Sequence, residues 1–282
     1  MKNVLAIIAS PRSLGNCELY VKEINNHIPE PHELHLLRLQ DFNIKPCRGC
    51  YICLFREHNC IIDDDYPLIL SAILKADALI VTSPTYCLGA NATLKLFFDR
   101  CLATYAKADL LWKKPCISVG IAGIKGMEGS TRLDLEKFTS MMLFDNKATV
   151  MLYSAMPGEI FMSEKNLQTA AQLGKALFGE PLHENSPACP VCGGHSFRFL
   201  GGDRVKCLLC SQSGHISMND KEPVFDIYKE YGIFLSRHEV DQHYDLLKNI
   251  RLVYKQKRDY LKQIISQYLD SGEWIKPLQE EK

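Results

Sequence analysis

The chain has no surplus of charge of either sign: 33 basic side chains balance 33 acidic ones. It therefore lacks the basic excess by which proteins hold nucleic acid or anionic lipid. Long apolar runs are missing too. Stretches such as Ala78–Val81 and Cys116–Ala122 fall far short of the ~18 residues of a membrane helix. Lys2 is followed by Asn3–Ala9, a run too short for a signal peptide that reads better as a strand, so no secretion leader is expected. A cytoplasmic protein without a membrane partner is expected. Hydrophobic content of 46% with 23% charged residues excludes a disordered chain, and no internal repeat is found.

Cysteine, by contrast, is abundant, with twelve in 282 residues. Without a secretion signal these are expected as thiols, so metal or redox chemistry explains them better than disulfides. Cys47, Cys50, Cys53 and Cys60 lie within fourteen residues, and Cys189/Cys192 and Cys207/Cys210 form two tight pairs. The scattered Cys17, Cys87, Cys101 and Cys116 sit in apolar contexts and read as small hydrophobes.

Residues 1–180 alternate short Val/Ile/Leu-rich runs with helical patterns, which predicts a doubly wound α/β fold with a five-stranded parallel sheet. Strands are expected at Asn3–Ala9, Glu33–Leu39, Ala78–Ser83, Cys116–Ala122 and Thr149–Ala155. Helices are expected near Asn16–Asn26, Tyr66–Lys75, Asn91–Ala106, Ser130–Leu143 and Ser163–Leu177. The loops at the carboxyl ends of the first, third and fourth strands then share one rim. Residues 186–218 are rich in Pro, Gly, His and Cys, with one possible hairpin at Phe197–Lys206, and need a metal to fold. Residues 224–270 read as helical, with Val240, Tyr244, Leu247, Ile250, Tyr254, Leu261, Ile264 and Tyr268 forming one stripe interrupted at Lys257.

The first strand runs into Ser10-Pro11-Arg12-Ser13-Leu14-Gly15-Asn16-Cys17 and a helix. Such a turn gathers unpaired N–H groups at a helix N-terminus, and Ser10, Ser13, Asn16 and Arg12 add donors and charge for an anion. The loop is neither G-x-x-x-x-G-K-[ST] nor G-x-G-x-x-G, which disfavours ATP and ordinary dinucleotides. After the third strand, Ser83-Pro84-Thr85-Tyr86-Cys87-Leu88-Gly89 bends at the rim and offers Tyr86 as a flat amphipathic surface. The fourth strand ends in the Gly-rich Gly120–Gly129, open to close backbone approach. Together the three loops suit a mononucleotide with an aromatic head.

Ser-Pro-Arg-x-x-Gly-Asn after the first strand and Ser-Pro-Thr-Tyr-x-x-x-x-Asn-Ala-x-x-Lys-x-Phe-x-Asp-Arg after the third resemble the NAD(P)H-dependent FMN reductase family. Within it the iron–sulfur flavoproteins are most similar. The resemblance covers about residues 1–180 and implies a flavodoxin-like fold, FMN as cofactor and NAD(P)H as possible donor. It implies that Ser10, Arg12, Gly15, Asn16 and Cys17 hold the phosphate. Pro84, Thr85, Tyr86, Cys87, Leu88 and Gly89 would flank the isoalloxazine, with Ala122, Gly123 and Gly126 on its other side. Cys17 stands where such proteins usually carry Thr or Ser, which weakens one phosphate contact.

Cys47-x2-Cys50-x2-Cys53 has the spacing of a ferredoxin run. Its fourth cysteine follows after six residues, so one self-contained [4Fe–4S] cluster is the economical reading. The resemblance implies the same, while zinc and plain redox-switching thiols stay open. Asp63-Asp64-Asp65 reads as a helix cap. Cys189-x2-Cys192 and Cys207-x2-Cys210, fourteen residues apart, read as a closed four-thiolate ribbon for zinc, with rubredoxin-type iron as the other candidate. His195 and His215 are bystanders.

These readings point to an FMN-dependent oxidoreductase that passes electrons between a donor, FMN and a cluster. No catalytic acid or base is assigned, since hydride transfer to a flavin needs none. The alternative is a non-catalytic carrier or sensor whose ribbon docks a protein or nucleic acid, although the interleaved charges of the C-terminal helix disfavour nucleic acid. A homo-oligomer, dimer or tetramer, is expected with the C-terminal helix at its seam, and an electron-transfer protein is a possible partner.

Overall fold

A computed structural model describes residues 1–55, 60–220, 222–230, 232, 234–269 and 271–275. Five parallel strands form the frame, β1 (Lys2–Ile8), β2 (His32–Arg38), β3 (Ala78–Tyr86), β5 (Pro115–Ala122) and β6 (Asp145–Tyr153), in the order β2-β1-β3-β5-β6. A two-residue strand, β4 (Gly89–Ala90), folds back antiparallel on the end of β3. Val4–Ile8 are all buried because helices cover both faces of the sheet. Side chains alternate across it. Val4, Ala6 and Ile8 pack against α1 (Asn16–Asn25) and α6 (Glu164–Ala176), while Leu5 and Ile7 meet α2 (Tyr66–Lys75), α3 (Ala92–Phe98) and α5 (Thr131–Met141). This is the doubly wound, flavodoxin-like arrangement that the alternation predicts.

Several boundaries differ from the sequence reading. The third strand runs on through Pro84 to Tyr86, since Pro84 pairs with Ile121 and the hairpin to β4 holds its tip. The fifth parallel strand starts at Asp145, where Asp145 and Asn146 pair with Pro115 and Cys116 before the register shifts. The helix expected over Asn91–Ala106 ends at Phe98. Cys101–Lys107 is a tighter 3-10 turn, and between the two the Arg100 side chain is drawn into the interior. A short α4 (Ala108–Leu111) follows.

The C-terminal third needs a larger correction. Residues 224–227 are not helical. They belong to β10 (Glu222–Ile227), which pairs with β9 (Ser213–Asn219) in an antiparallel sheet completed by β8 (Arg204–Cys207) and β7 (Phe197–Gly201). Glu222, Val224 and Asp226 face solvent while Phe225 and Ile227 turn inward, a period-two pattern that a search for helical stripes overlooks. Phe225 stacks on Phe197 with centroids 3.9 Å apart. The metal ribbon thus extends beyond residue 218, and the hairpin at its start closes through Gly201 and Gly202, both at positive φ.

Helix α7 (Arg237–Gln256) starts where the Ser236 hydroxyl accepts from the Glu239 N–H, and the Glu239 carboxylate reaches back to the Leu235 N–H. It ends at Lys257, the interruption seen in the stripe, and α8 (Arg258–Ser266) follows. The stripe divides at Ile250. Val240 and Leu247 are buried against the chain's own core and Tyr244 packs beside them, whereas Ile250, Tyr254, Ile264 and Tyr268 are exposed. No helix among the described residues is long and apolar enough to cross a membrane.

Candidate functional site

The parallel strands deliver their carboxyl ends to one rim. The Ser10–Gly15 loop leads into α1, whose N-cap is Gly15 with no side-chain cap, so the N–H groups of the first turn lack a side-chain acceptor. An uncapped first turn of this kind can receive an anion. A Cβ on Gly15 would lie 2.9 Å from the Arg12 Cβ, so this close fold-back requires glycine. Ser10 is buried, and its hydroxyl oxygen accepts from the Arg12 N–H at 3.3 Å.

Two predicted phosphate ligands have other duties. The Asn16 amide donates to the Ser154 hydroxyl at 2.8 Å and the Met156 carbonyl at 2.9 Å, and its carbonyl accepts from the Gly158 N–H. The Cys17 thiol faces the core at 2% exposure, and burial pushes its pKa up to about 12 against hydrogen bonds with Thr82 and Ser10. It is a neutral packing group, and only its N–H, in the uncapped turn, is left for an anion. Arg12 is exposed and also reaches the Ala155 carbonyl at 3.3 Å.

Asn16 and Arg12 therefore tie the first loop to a fourth, Ser154–Gly158, after β6. The sequence reading did not include this loop. Ser-Ala-Met-Pro-Gly is its turn signal, and Gly158 does adopt a positive φ. Glu18 supports the Ser10–Gly15 loop from behind. Burial opposes its charge, but hydrogen bonds from Lys22 and the Leu14 N–H, with Arg38 close by, hold the carboxyl below its ordinary value.

At the tip of β3, Cys87 and Leu88 both take left-handed φ values, 50° and 62°, as a two-residue hairpin turn requires. Neither is glycine, so the tip is strained. Leu88 is held by the neighbouring loop, for its carbonyl accepts from the Ser130 N–H at 2.8 Å. Tyr86 is exposed beside it, and Thr85 hydrogen-bonds Thr131 at 2.8 Å. Across the rim Ala122 is buried, while Gly123 and Gly126 are exposed in a loop that also presents Ile124 and Met127. Ser10, Gly15, Pro84–Gly89 and Ala122–Gly126 thus share one rim.

The cysteine loop leaves the carboxyl end of β2. Cys47, Cys50, Cys53 and Cys60 line a single cavity of about 160 Å³, with Tyr51, Asp99, Arg100 and Leu102 among its walls. The Gly49 N–H points at the Cys47 sulfur at 3.4 Å. Burial pushes the Cys53 thiol up to about 11, and the nearby Cys60, Cys50 and Cys47 add to the rise. Asp64, expected as a helix cap, accepts from the Lys45 N–H and pairs with buried Arg100. Helix α7 covers the loop: Tyr244 donates to the Leu54 carbonyl and Arg251 to that of Cys50.

The second cysteine set is already gathered. Among the described residues, the sulfurs of Cys189, Cys192, Cys207 and Cys210 lie within 4.8 Å of one another. Cys207 is held well below the ordinary thiol range by hydrogen bonds from Cys192 and Cys210 and from the N–H groups of Cys210 and Leu209. Four converging sulfurs leave no open position, so this geometry fits a structural ion. His195 and His215 pair elsewhere, with Ser186 and Asp203.

The fold is that of a flavodoxin-like α/β protein with an uncapped helix turn at the rim of its sheet. The chain belongs to the NADPH-dependent FMN reductase family, which it matches over residues 2–156, and it has relatives among the iron–sulfur flavoproteins. One, from Methanocaldococcus jannaschii, is 32% identical over 184 residues, covering 62% of this chain and 94% of the relative. Another, from Archaeoglobus fulgidus, is 27% identical over 177 residues, covering 61% and 77%. A solved structure described as a flavone reductase shares the fold over 97% of this chain and 100% of its own, with a TM-score of 0.73 and 16% identity. The protein is therefore a flavin-dependent oxidoreductase by family.

Proposed function

We propose that the protein passes electrons between a nicotinamide donor, FMN at the rim and a [4Fe–4S] cluster held by Cys47, Cys50, Cys53 and Cys60. The carrying observation is the wall of the 160 Å³ cavity, where four thiols of a ferredoxin-like run meet a buried, half-paired guanidinium. The iron–sulfur flavoproteins among its relatives support the cluster, and the family's name supports the donor. When bound, FMN accepts electrons in pairs and releases them singly, and a cluster takes them one at a time.

The chain itself binds and orients. The uncapped turn of α1 and the Arg12 guanidinium receive the phosphate, and Asn16 holds the loop that braces them. Tyr86, at the end of β3, offers a flat face to the isoalloxazine, and the Ala122–Gly126 loop closes the other side. Zinc is assigned to Cys189, Cys192, Cys207 and Cys210, where it would stabilise a sheet whose few buried residues include three of those cysteines.

Anaerobic purification followed by flavin, iron, acid-labile sulfide and zinc analysis tests this reading. FMN, four irons and zinc per chain are expected, with air bleaching the iron chromophore and sparing the zinc. Zinc at both sites without sulfide would remove the electron path. Steady-state NAD(P)H oxidation separates an enzyme from a carrier, which would be reduced only by a partner protein. Because the flavone reductase shares this fold through the ribbon and terminal helices, a flavone belongs among the acceptors tried.

A further inference from the structure

Arg100 is the largest fully buried side chain among the described residues, and its partners do not account for its burial. One terminal nitrogen, Nη1, pairs with the Asp64 carboxylate, which has no exposure and already accepts from the Lys45 and Tyr66 N–H groups. One face of the guanidinium lies over the Tyr66 ring, 4.1 Å from its centroid. Nε and Nη2 have no hydrogen-bond partner among the described residues. Those atoms carry three of the five N–H donors of an arginine. A charged group with most of its donors empty is costly to bury, and so large an omission in a well-packed interior marks a missing acceptor.

The surroundings indicate the kind of acceptor. Arg100 lines the same cavity as Cys47, Cys50, Cys53 and Cys60. An acceptor that enters this cavity is surrounded by sulfur ligands.

We propose that Arg100 is the positioning cation of this centre, its free N–H groups donating to the sulfurs of the bound cluster. This rests on the cluster reading above. A four-thiolate iron–sulfur cluster is negatively charged and gains one more negative charge on reduction. A fixed cation and N–H donors at its sulfurs stabilise the reduced form more than the oxidised one, and so raise the reduction potential. The Asp64 carboxylate and Tyr66 ring aim the guanidinium.

The test compares wild-type, Arg100→Lys and Arg100→Gln proteins, purified without oxygen. Flavin content and thermal unfolding report whether the fold is kept. Iron and sulfide content, reduction potential by EPR-monitored titration, and the rate of iron loss to a chelator report on the centre. Arg100→Lys, which keeps the charge but not the forked donors, should retain the cluster at a lower potential. Arg100→Gln should lower the potential further or lose iron several-fold faster, with flavin still bound. A full cluster at wild-type potential and wild-type chelation rate in both variants would overturn the proposal. If Arg100→Gln does not fold, Arg100→Lys decides by the same measurements. Wild-type protein without acid-labile sulfide would overturn the cluster reading itself, and this inference with it.

Discussion

The Tyr244 hydroxyl donates to the main-chain carbonyl of Leu54, 3.0 Å away and 190 residues back along the chain. Through this bond the C-terminal helix holds the cysteine loop. Leu247 packs in the same cluster as Leu54 and Tyr105, and Arg251 reaches the Cys50 carbonyl one turn further on. Tyr244→Phe combined with Arg251→Ala should cost about 2 kcal/mol of local stability, at roughly 1 kcal/mol per hydrogen bond. Metal at Cys47–Cys60 should then be lost faster to a chelator while flavin content stays constant. Equal chelation rates would show that the helix does not hold the loop.

Gly129, in the loop after β5, and Gly202, in the ribbon hairpin, both adopt positive φ, but only Gly129 packs against the β3 tip. A Cβ there would lie 2.1 Å from the Leu88 carbonyl oxygen, whereas one on Gly202 meets nothing within 4 Å. Both alanine variants incur the left-handed strain of ~1–3 kcal/mol. Gly129→Ala must also displace the Cys87–Leu88 tip, and its FMN affinity should fall by about tenfold or more, a loss of ~1.4 kcal/mol. Gly202→Ala should change affinity much less. Fluorescence titration of apoprotein with FMN separates them, and equal losses would remove the role assigned to the tip.

Glu18 gives the Ser10–Gly15 loop a defined acid limit. Its carboxyl is held below the ordinary value of 4.5, so the folded state binds its proton more weakly than the unfolded one. The stability it contributes is complete above the unfolded pKa and is lost as pH falls through the lower folded value. Thermal unfolding followed downward from neutral pH should show this loss in the wild type, with a shallower acid slope in Glu18→Gln. Superimposable slopes would show that the carboxylate does not act this way.

The exposed end of the stripe predicts a second copy of the chain. Ile250, Tyr254, Tyr260, Ile264, Ile265 and Tyr268 present apolar surface on α7 and α8 that the chain's own core leaves uncovered. A homodimer through this face is proposed, and light scattering should give twice the chain mass. Ile264→Glu with Tyr268→Glu should yield monomers that retain flavin. A monomeric wild type would rule the dimer out, and a dimer unaffected by the pair would place the seam elsewhere.

Much of this molecule is legible in its sequence. The alternation of Val/Ile/Leu runs with helical patterns determines a doubly wound sheet, because parallel strands covered on both faces must be apolar throughout. Ser10–Cys17 marks the anion loop because only a short turn before a helix frees its N–H groups, and the two Cys-x2-Cys pairs determine their own convergence. Contacts between distant segments are another matter, since no local pattern records them. Asn16 looks like a phosphate donor until the fold brings Ser154 and Met156 to its amide. The Cys17 thiol turns to the core because the pitch of α1 directs it there. Residues 224–227 become strand because β9 offers them an edge. Arg100, part of a family motif, shows its empty donors only when Asp64, Tyr66 and the cysteine loop close around it, for hydrogen bonding of a buried charge is decided by tertiary packing.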